Sequence, residues 1–273
     1  MATAVGAGTV LWELDARGVA TVAFNRPEVN NAYSADMIRG VHEALDALAG
    51  APGLRALVLR GHGRHFQAGV DLRWSAEVAK LPPADNLAIS RTTGETVRRL
   101  DALPVPTVAL VQGGCFGGGT GFVAACDVVI ASEDAVFSIS ETRWGLMAGI
   151  ILPQLCRAMG ARQVRRYALT CERFDAHEAR RLGLVHEVCP VGGLDAAGAR
   201  IVDGVLMNAP GATAATKLRT QRLADAFVDD GLFADLVREH AATRQLDEAI
   251  EGRASFIEKR APRWYPGAAR PGA

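Results

Sequence analysis

The chain has 273 residues, enough for one large domain or one domain with an appendage. Hydrophobic residues make up 49% of it, and 30 basic side chains balance 30 acidic ones. This balance gives no overall electrostatic reason to expect nucleic acid or an anionic membrane as a partner. Residues 1–10 lack the charged start and apolar stretch of a secretory signal, and no apolar run reaches the length of a membrane span. Five scattered cysteines without a CxxC pair argue against a zinc site or disulfide framework and indicate the cytoplasm.

The first half of the chain alternates short apolar strands with helices. Two alternating segments, Val10–Leu14 and Val19–Phe24, predict an opening β-hairpin. A helix is predicted between Ser34 as its N-cap and Gly50 as its end. Buried strands are predicted at 56–59 and Thr107–Val111, helices at 92–103 and 122–126, and short strands at 128–131 and 136–139.

The second half is mainly helical. One late strand is predicted at 184–188, after a helix that begins with a capping box at Asp175 and Glu178 and ends at Gly183. Beyond residue 205 only helical periodicities occur. The order of elements therefore predicts an α/β core over 1–204 and a C-terminal helical region over 205–273.

A glycine-rich turn at 112–121 separates the predicted strand 107–111 from the predicted helix 122–126. Backbone amides at such a helix start can face an anion. No lysine follows the glycines, and the dinucleotide spacing fails because Phe122 stands two residues after Thr120 where that pattern needs glycine. On the glycines alone, a tight turn packed against a neighbouring helix remains the alternative.

Two further segments carry possible chemistry. Residues 66–72 follow a strand, and the small residues Ala68 and Gly69 would let the backbone approach a ligand. Glu141 lies among apolar neighbours after another strand, where desolvation would raise its pKa toward general acid–base use. The alternative for Glu141 is a surface carboxylate paired with Arg143. His62 and His65 are close in sequence but lack a third ligand, so no metal site is expected.

Together these motifs resemble the crotonase (enoyl-CoA hydratase/isomerase) superfamily. The matching segments are 24–32, 67–72, 117–119 with 125–127, 140–141 with 144–146, 173–176 with 183–185, and 256–260. The resemblance covers nearly the whole chain and is nearest to methylglutaconyl-CoA and isohexenylglutaconyl-CoA hydratase-like members. It implies a ClpP-like spiral α/β core of ββα units and a C-terminal helical trimerisation region.

The resemblance also implies roles for individual residues. The amides of Ala68 and Gly118 would bind the thioester oxygen as an oxyanion hole, and Glu141 would be the general acid–base. In two-glutamate hydratases a second glutamate lies two residues after the third glycine, where this chain has Gly121. The substrate pocket is expected to include Gly117, Gly121 and Trp144.

Coenzyme A is expected as part of the thioester substrate, with no permanently bound cofactor and no metal. The residues implied in its binding are Val29, Asn30, Ala68, Asp71 and Leu72, together with Phe256 and Lys259 from a neighbouring subunit. The resemblance further implies a homotrimer or a dimer of trimers, in the cytoplasm, with acyl-CoA as the partner and neither nucleic acid nor membrane.

The function implied is that of a hydro-lyase, an enoyl-CoA hydratase or dehydratase that works through a stabilised enolate, on a branched glutaconyl-CoA among other candidates. One alternative is a Δ3,Δ2-enoyl-CoA isomerase that uses the single glutamate. Another is a degenerate crotonase that binds acyl-CoA without turnover. Hydroxyisobutyryl-CoA hydrolases also lack the second glutamate, but they carry Asp where this chain has Gly149, which argues against hydrolysis.

Overall fold

The computed structural model describes residues 2–224 and 226–268. Residue 1 of the expected core and residues 225 and 269–273 of the expected helical region lie outside the described residues. The strands are β1 (Thr3–Val5), β2 (Val10–Leu14), β3 (Val19–Phe24), β4 (Ala56–Gly61), β5 (Thr107–Val111), β6 (Gly114–Phe116), β7 (Val128–Ser132), β8 (Val136–Ser138), β9 (Phe174–Asp175) and β10 (Glu187–Cys189). The helices are α1 (Ala35–Ala49), α2 (Leu72–Val78), α3 (Pro83–Asp101), α4 (Gly118–Ala124), α5 (Leu152–Met159), α6 (Ala161–Thr170), α7 (Ala176–Leu182), α8 (Leu194–Leu206), α9 (Pro210–Leu223), α10 (Asp230–Thr243) and α11 (Asp247–Ile257).

The main sheet has seven strands in the order β1-β2-β3-β4-β5-β7-β10. The pairs β1–β2 and β2–β3 are antiparallel, and every later pair is parallel. All five residues of β5 are buried, as expected for an inner parallel strand covered on both faces.

A second sheet of three short strands, in the order β6-β8-β9, lies beside the main one. β6 and β8 are parallel, with Cys115 opposite Phe137. An isolated parallel bridge places Gln67 next to Cys115. The chain segments that follow Gln67, β6 and β8 therefore leave the small sheet side by side.

Two apolar clusters cover the two faces of the main sheet. The larger one includes the buried stripe of α1, formed by Met37, Val41, Leu45 and Leu48, whose spacing is that of one helix face. The smaller one packs α8 against the other face, through residues that include Val108, Ile130, Val202 and Leu206.

The structure confirms the hairpin, the helix between Ser34 and Gly50, and the strand Thr107–Val111. The helix predicted at 92–103 is longer, because it already begins at Pro83 and its exposed first turns carry little apolar periodicity. The helix predicted at 122–126 spans Gly118–Ala124 instead, because the glycines of its first turn give no apolar pattern from which its start could be predicted. The strand predicted at 184–188 is wrong in position. Leu184 and Val185 are buried in the turn after α7, and the strand spans Glu187–Cys189.

The capping box at the start of α7 is half formed. The Asp175 side chain accepts the amide of Glu178 at 2.8 Å, whereas the Glu178 carboxylate binds Tyr167 and Arg181 instead of reaching back. Gly183 ends α7 with φ of +90°, a left-handed conformation in which glycine carries no steric penalty.

Beyond β10 the described residues are helical, as predicted. The expected boundary after residue 204 falls inside α8, whose Leu206 is fully buried against the sheet. Lys217 on α9 is buried and contacts Asp127 at 2.7 Å and the carbonyl of Val105 at 2.9 Å. None of the helices within residues 2–224 and 226–268 is both long and apolar enough to cross a membrane.

Candidate active site

Three loops that the sequence singles out meet at one end of the small sheet. Gly117 and Gly118 follow β6, and Ser140 and Glu141 follow β8. Because β6 and β8 are parallel neighbours, these loops leave the sheet at the same edge. The bridge between Gln67 and Cys115 brings the third loop, residues 68–71, to the same place.

The loops surround a cavity of about 360 Å³. Of the residues predicted for the site, six line it: Ala68, Leu72, Gly117, Gly118, Glu141 and Trp144. Helices α2 and α3 close the opposite side. The polar side chains that reach the cavity from outside the predicted set are Tyr33, Ser75, Asn86, Ser90, Thr93 and Ser140.

Glu141 begins a short 3-10 helix, Glu141–Trp144, and its carboxylate lies against Gly117. A β-carbon on Gly117 would stand 2.9 Å from Glu141 Oε1, so the absence of a side chain there leaves room for the carboxylate. Glu141 Oε2 is buried and has no hydrogen-bond partner in the described part of the chain. Burial raises the pKa of Glu141, although nearby backbone amides oppose that shift. Oε2 of Glu141 therefore does not pair with Arg143, the alternative that the sequence left open.

The first oxyanion loop differs from the expectation. The Ala68 amide already donates to the carbonyl of Asn30 at 3.0 Å, so it is not free to bind a substrate oxygen. Tyr33 donates to the carbonyl of Gly69 and accepts from Asp71, and Gly69 has φ of +88° between them. The Val70 amide that this turn exposes has no hydrogen bond to any described residue. Val70 therefore replaces Ala68 as the candidate donor.

The Gly118 amide opens the first turn of α4, where N–H groups have no partner within the helix. It makes no hydrogen bond to the residues that the structure describes. A β-carbon on Gly118 would stand 2.6 Å from Cε1 of Tyr33, so glycine is needed here for the tyrosine ring to pack. Val70 and Gly118 thus present free amides from the two sides of Tyr33.

Gly121 does not line the cavity, contrary to the expectation. Ile151, which is 1% exposed, packs on it, and its Cβ lies 2.7 Å from the place of a β-carbon on Gly121. Ile151 itself lines the cavity. An aliphatic side chain therefore occupies the wall where two-glutamate hydratases would place their second carboxylate.

Of the residues expected to bind coenzyme A, Ala68 and Leu72 line the cavity, and Asn30 and Asp71 form hydrogen bonds with residues that line it. Asn30 has φ of +56° and joins the Ala68 loop through its carbonyl, directly after exposed Val29. Asp71 caps α2 and forms an ion pair with Arg26 at 3.2 Å. Leu72 is exposed and lines the cavity.

Phe256 and Lys259 do not reach this cavity. Phe256, at the end of α11, is 86% exposed and lines a separate groove of about 850 Å³ together with Lys217 and Trp264. Lys259 follows α11 with φ of +53°. Their contribution to the site of a neighbouring subunit stays a prediction.

His65 accepts the amide of Gly114 at 2.7 Å through Nδ1, and burial lowers its pKa, so its neutral form supports the turn before β6. Within the described ranges, no group of three or more His, Cys, Asp or Glu side chains is placed to hold a metal.

Three residues of the site were missed in the sequence: Tyr33, Val70 and Ile151. Tyr33 directly follows the matched segment 24–32, and Val70 lies inside the matched segment 67–72. Both could have been flagged by position, but only the hydrogen bonds distinguish Val70 from Ala68. No local signal marks Ile151, which is 30 residues from Gly121 in the chain.

Taken together, fold and site define an α/β protein in which a partly buried carboxylate shares a cavity with two free backbone amides. That arrangement is typical of enzymes that stabilise an oxyanion beside a proton-transferring group.

Comparison with known proteins identifies the family. The family model described as enoyl-CoA hydratase/isomerase matches residues 15–266. The crystal structure of an enoyl-CoA hydratase from Shewanella pealeana has a TM-score of 0.89 and 36% identity, covering 94% of this chain and 96% of that one. The structure of Pseudomonas aeruginosa AtuE has a TM-score of 0.88 and 35% identity, covering 94% of this chain and 99% of that one. The mitochondrial Δ(3,5)-Δ(2,4)-dienoyl-CoA isomerase of Dictyostelium discoideum is 30% identical over a region that covers 91% of this chain and 88% of that protein.

The chain belongs to the enoyl-CoA hydratase/isomerase (crotonase) superfamily. Its crotonase fold is thereby confirmed, and its activity is that of this family on acyl-CoA thioesters.

Proposed function

We propose that this protein hydrates a 2-enoyl-CoA and catalyses the reverse dehydration, with Glu141 as its general acid–base. One observation carries the proposal: the Glu141 carboxylate, with its unpaired Oε2, shares a cavity with the free amides of Val70 and Gly118. This geometry supports stabilisation of negative charge next to a group that moves protons.

The two amides would bind the thioester oxygen. When a nucleophile adds to the β-carbon, negative charge develops on that oxygen as the α-carbon becomes enolate-like. Backbone donors that are already in place stabilise this charge without reorganising, and loss of one such donor typically costs about 2.7–4 kcal/mol. The small residues Gly117 and Gly118 keep side chains out of the approach.

Glu141 would carry one proton through the reaction. It accepts a proton from water while the water oxygen bonds to the β-carbon and the π electrons move onto the thioester oxygen. It then returns that proton to the α-carbon as the enolate collapses, so the carboxylate is regenerated. The pKa of Glu141, raised by burial, makes it a stronger base than an exposed glutamate.

An adjoining cavity supports an acyl group that extends beyond the reacting carbons. It measures about 250 Å³ and shares Glu141, Met147 and Ala148 with the reaction cavity. The remaining lining is mostly apolar and comes from Ile139, Thr142, Leu152, Cys156, Ala161, Val164, Arg165, Ala168 and Leu169.

The branched glutaconyl thioester is our finer candidate for the substrate. Its second carboxylate would need a cation, because an unpaired charge is costly to desolvate. Among the described side chains that line the two cavities, Arg165 is the only basic one. We expect Arg165→Gln to slow hydration of 3-methylglutaconyl-CoA and to leave crotonyl-CoA hydration unchanged. An equal effect on both thioesters would exclude this acyl preference.

Isomerisation is the second candidate, and the Ile151 wall favours it. A Δ3,Δ2-enoyl-CoA isomerase needs one base to move a proton between the α and γ carbons, and here one carboxylate faces an aliphatic surface. The Dictyostelium relative is named as a dienoyl-CoA isomerase.

A thioester panel tests these functions. Crotonyl-CoA, 3-methylglutaconyl-CoA and a 3-enoyl-CoA are incubated with the wild type, with Glu141→Ala, and with Glu133→Ala as a control at an exposed glutamate outside the cavity. Hydration lost only in Glu141→Ala supports the proposal. Conversion of the 3-enoyl-CoA without hydration would instead show an isomerase, and binding of every thioester without turnover would show a non-catalytic protein.

We also propose a trimeric assembly, or a dimer of trimers, in the cytoplasm. Helices α10 and α11 expose apolar side chains that include Phe233, Val237, Ile250, Phe256 and Ile257, which supports burial against another copy. The cysteines are all free, in keeping with a reducing compartment. Sedimentation equilibrium of the wild type and of Phe233→Asp tests the assembly, since a monomeric wild type would refute it.

A further inference from the structure

Tyr33 connects the two halves of the oxyanion site. Its backbone pairs with both neighbours of Val70, donating to Gly69 and accepting from Asp71, each at 2.9 Å. Its ring covers Gly118, with Cζ 3.5 Å from the place of a β-carbon there. The ring edge also packs against Trp74, at 6.0 Å between centroids. The side chain is therefore held in one position from several sides.

The hydroxyl of Tyr33 is the unused part of this side chain. It makes no hydrogen bond to any residue of the described chain, and Tyr33 lines the same cavity as Glu141. Burial, together with the charge of Glu141, raises the pKa of Tyr33 to about 12, so the phenol stays protonated at neutral pH. A neutral phenol can both donate and accept a hydrogen bond.

Hydration requires a water molecule that is held as well as deprotonated. A water inside a protein generally has two to four polar partners, and Glu141 supplies one. The wall near Gly121 supplies none, because Ile151 covers it. Ser140 lies on the same side as Glu141, since both approach Gly117, whereas Tyr33 approaches Gly118. Tyr33 is thus the polar side chain that contacts the glycine turn from the other side, whereas Ser75, Asn86, Ser90 and Thr93 line the cavity from α2 and α3.

We propose that the Tyr33 hydroxyl is a second catalytic group, which hydrogen-bonds the attacking water in hydration and the departing hydroxyl in dehydration. This inference rests on the proposed hydratase function. The oxygen of water bonds to the β-carbon and its proton passes to Glu141, while Tyr33 keeps its own proton and only orients the oxygen. In this chain a phenol takes the positioning role for which no second carboxylate has room.

The test separates water addition from proton transfer at the α-carbon. Tyr33→Phe removes only the hydroxyl and retains the ring contacts with Gly118 and Trp74. Two rates are measured for each variant: hydration of crotonyl-CoA, and exchange of the α-hydrogens of butyryl-CoA in D2O, which needs Glu141 and the oxyanion amides but no attacking water. Tyr265→Phe, outside the cavity, is the matched control.

We expect Tyr33→Phe to lower kcat for hydration by roughly 10-fold, as expected for the loss of one hydrogen bond to the reacting oxygen, and to leave α-exchange and the melting temperature close to wild type. Equal loss of both rates would assign Tyr33 to support of the oxyanion site and overturn the proposal, as would unchanged hydration. A wild type that exchanges α-hydrogens but does not hydrate would refute the hydratase function itself, and the inference with it.

Discussion

The Cβ of Ile151 lies 2.7 Å from the point where a β-carbon on Gly121 would stand, and its Cγ2 comes closer still. Ile151 lines the cavity but is only 1% exposed and packs in the core, so it has little room to move aside. The missing second glutamate is therefore part of a packed arrangement in which glycine and isoleucine complement each other. Replacing the glycine alone should not restore a two-carboxylate site.

Gly121→Glu should lower the free energy of unfolding by about 1–3 kcal/mol, because the new side chain overpacks the Ile151 contact. Chemical denaturation measures this change. The double variant Gly121→Glu with Ile151→Ala should lose less stability than the sum of the two single losses, since removing the Ile151 side chain relieves the clash and the glutamate fills part of the space that is left. Additive losses would show that the two residues do not compete for the same space.

Glu141→Gln should reduce kcat/KM for hydration by about 10²–10⁴-fold. In the wild type the rate should fall as the pH drops through the pKa of Glu141, which burial places above its ordinary value of 4.5. The residual activity of the glutamine variant should lack this acidic limb. A pH profile of kcat/KM for both proteins checks the assignment, and an identical acidic limb in the variant would contradict it.

Glu141→Gln should also stabilise the protein at neutral pH. Because the pKa of Glu141 is raised in the folded state, folding binds its proton more tightly, and the charged carboxylate is destabilising once the pH exceeds that pKa. The difference in melting temperature between variant and wild type should therefore be positive at pH 7 and vanish below about pH 4, under the unfolded pKa of glutamate. A difference independent of pH would contradict this linkage.

An amide-to-ester replacement at position 70 tests the corrected oxyanion donor. Replacing the Val70 N–H by an ester oxygen should reduce kcat about 10²–10³-fold, the usual effect of losing one oxyanion donor. The same replacement at Ala68 should cost roughly 0.5–1.5 kcal/mol of stability, through its bond to Asn30, and leave kcat nearly unchanged. The reverse result would restore Ala68 as the donor.

Lys217→Met should lower the free energy of unfolding by about 1.5–3 kcal/mol, because the charge-assisted hydrogen bond from buried Lys217 to Asp127, whose side chain is 30% exposed, is lost. Denaturant titration gives the value. Lys80→Met is the control, since the Lys80–Glu77 pair is exposed and should contribute less than about 1 kcal/mol. Similar losses in the two variants would show that the contact between α9 and the core contributes no more to the free energy of unfolding than an exposed ion pair.

Local patterns predicted much of this fold. The alternation in β2 and β3 and the helical stripe of α1 place their apolar side chains on one face, which is a property of the chain itself. The strand expected at 184–188 was misplaced because its apolar residues suggested a buried strand. Leu184 and Val185 are buried by tertiary packing without pairing in a sheet, and burial alone does not distinguish the two cases.

The site shows the same division. Its three loops and Glu141 could be found from their motifs, whereas β6, which aligns two of those loops, is too short and glycine-rich to have a period of its own. The choice between the Ala68 and Val70 amides as oxyanion donor depends on which of them donates to the carbonyl of Asn30. That hydrogen bond joins segments almost 40 residues apart.

By itself the sequence determined the α/β class, the helical C-terminal region and the choice of Glu141 as the candidate carboxylate, because these follow from local periodicity and from motif residues in order. Only the tertiary structure decided that Val70 and Gly118 offer the free amides, that Ile151 covers Gly121 and that Tyr33 faces Glu141's cavity. Each of these depends on side chains or amides from distant segments competing for one space, and such competition leaves no mark on the local pattern of either segment.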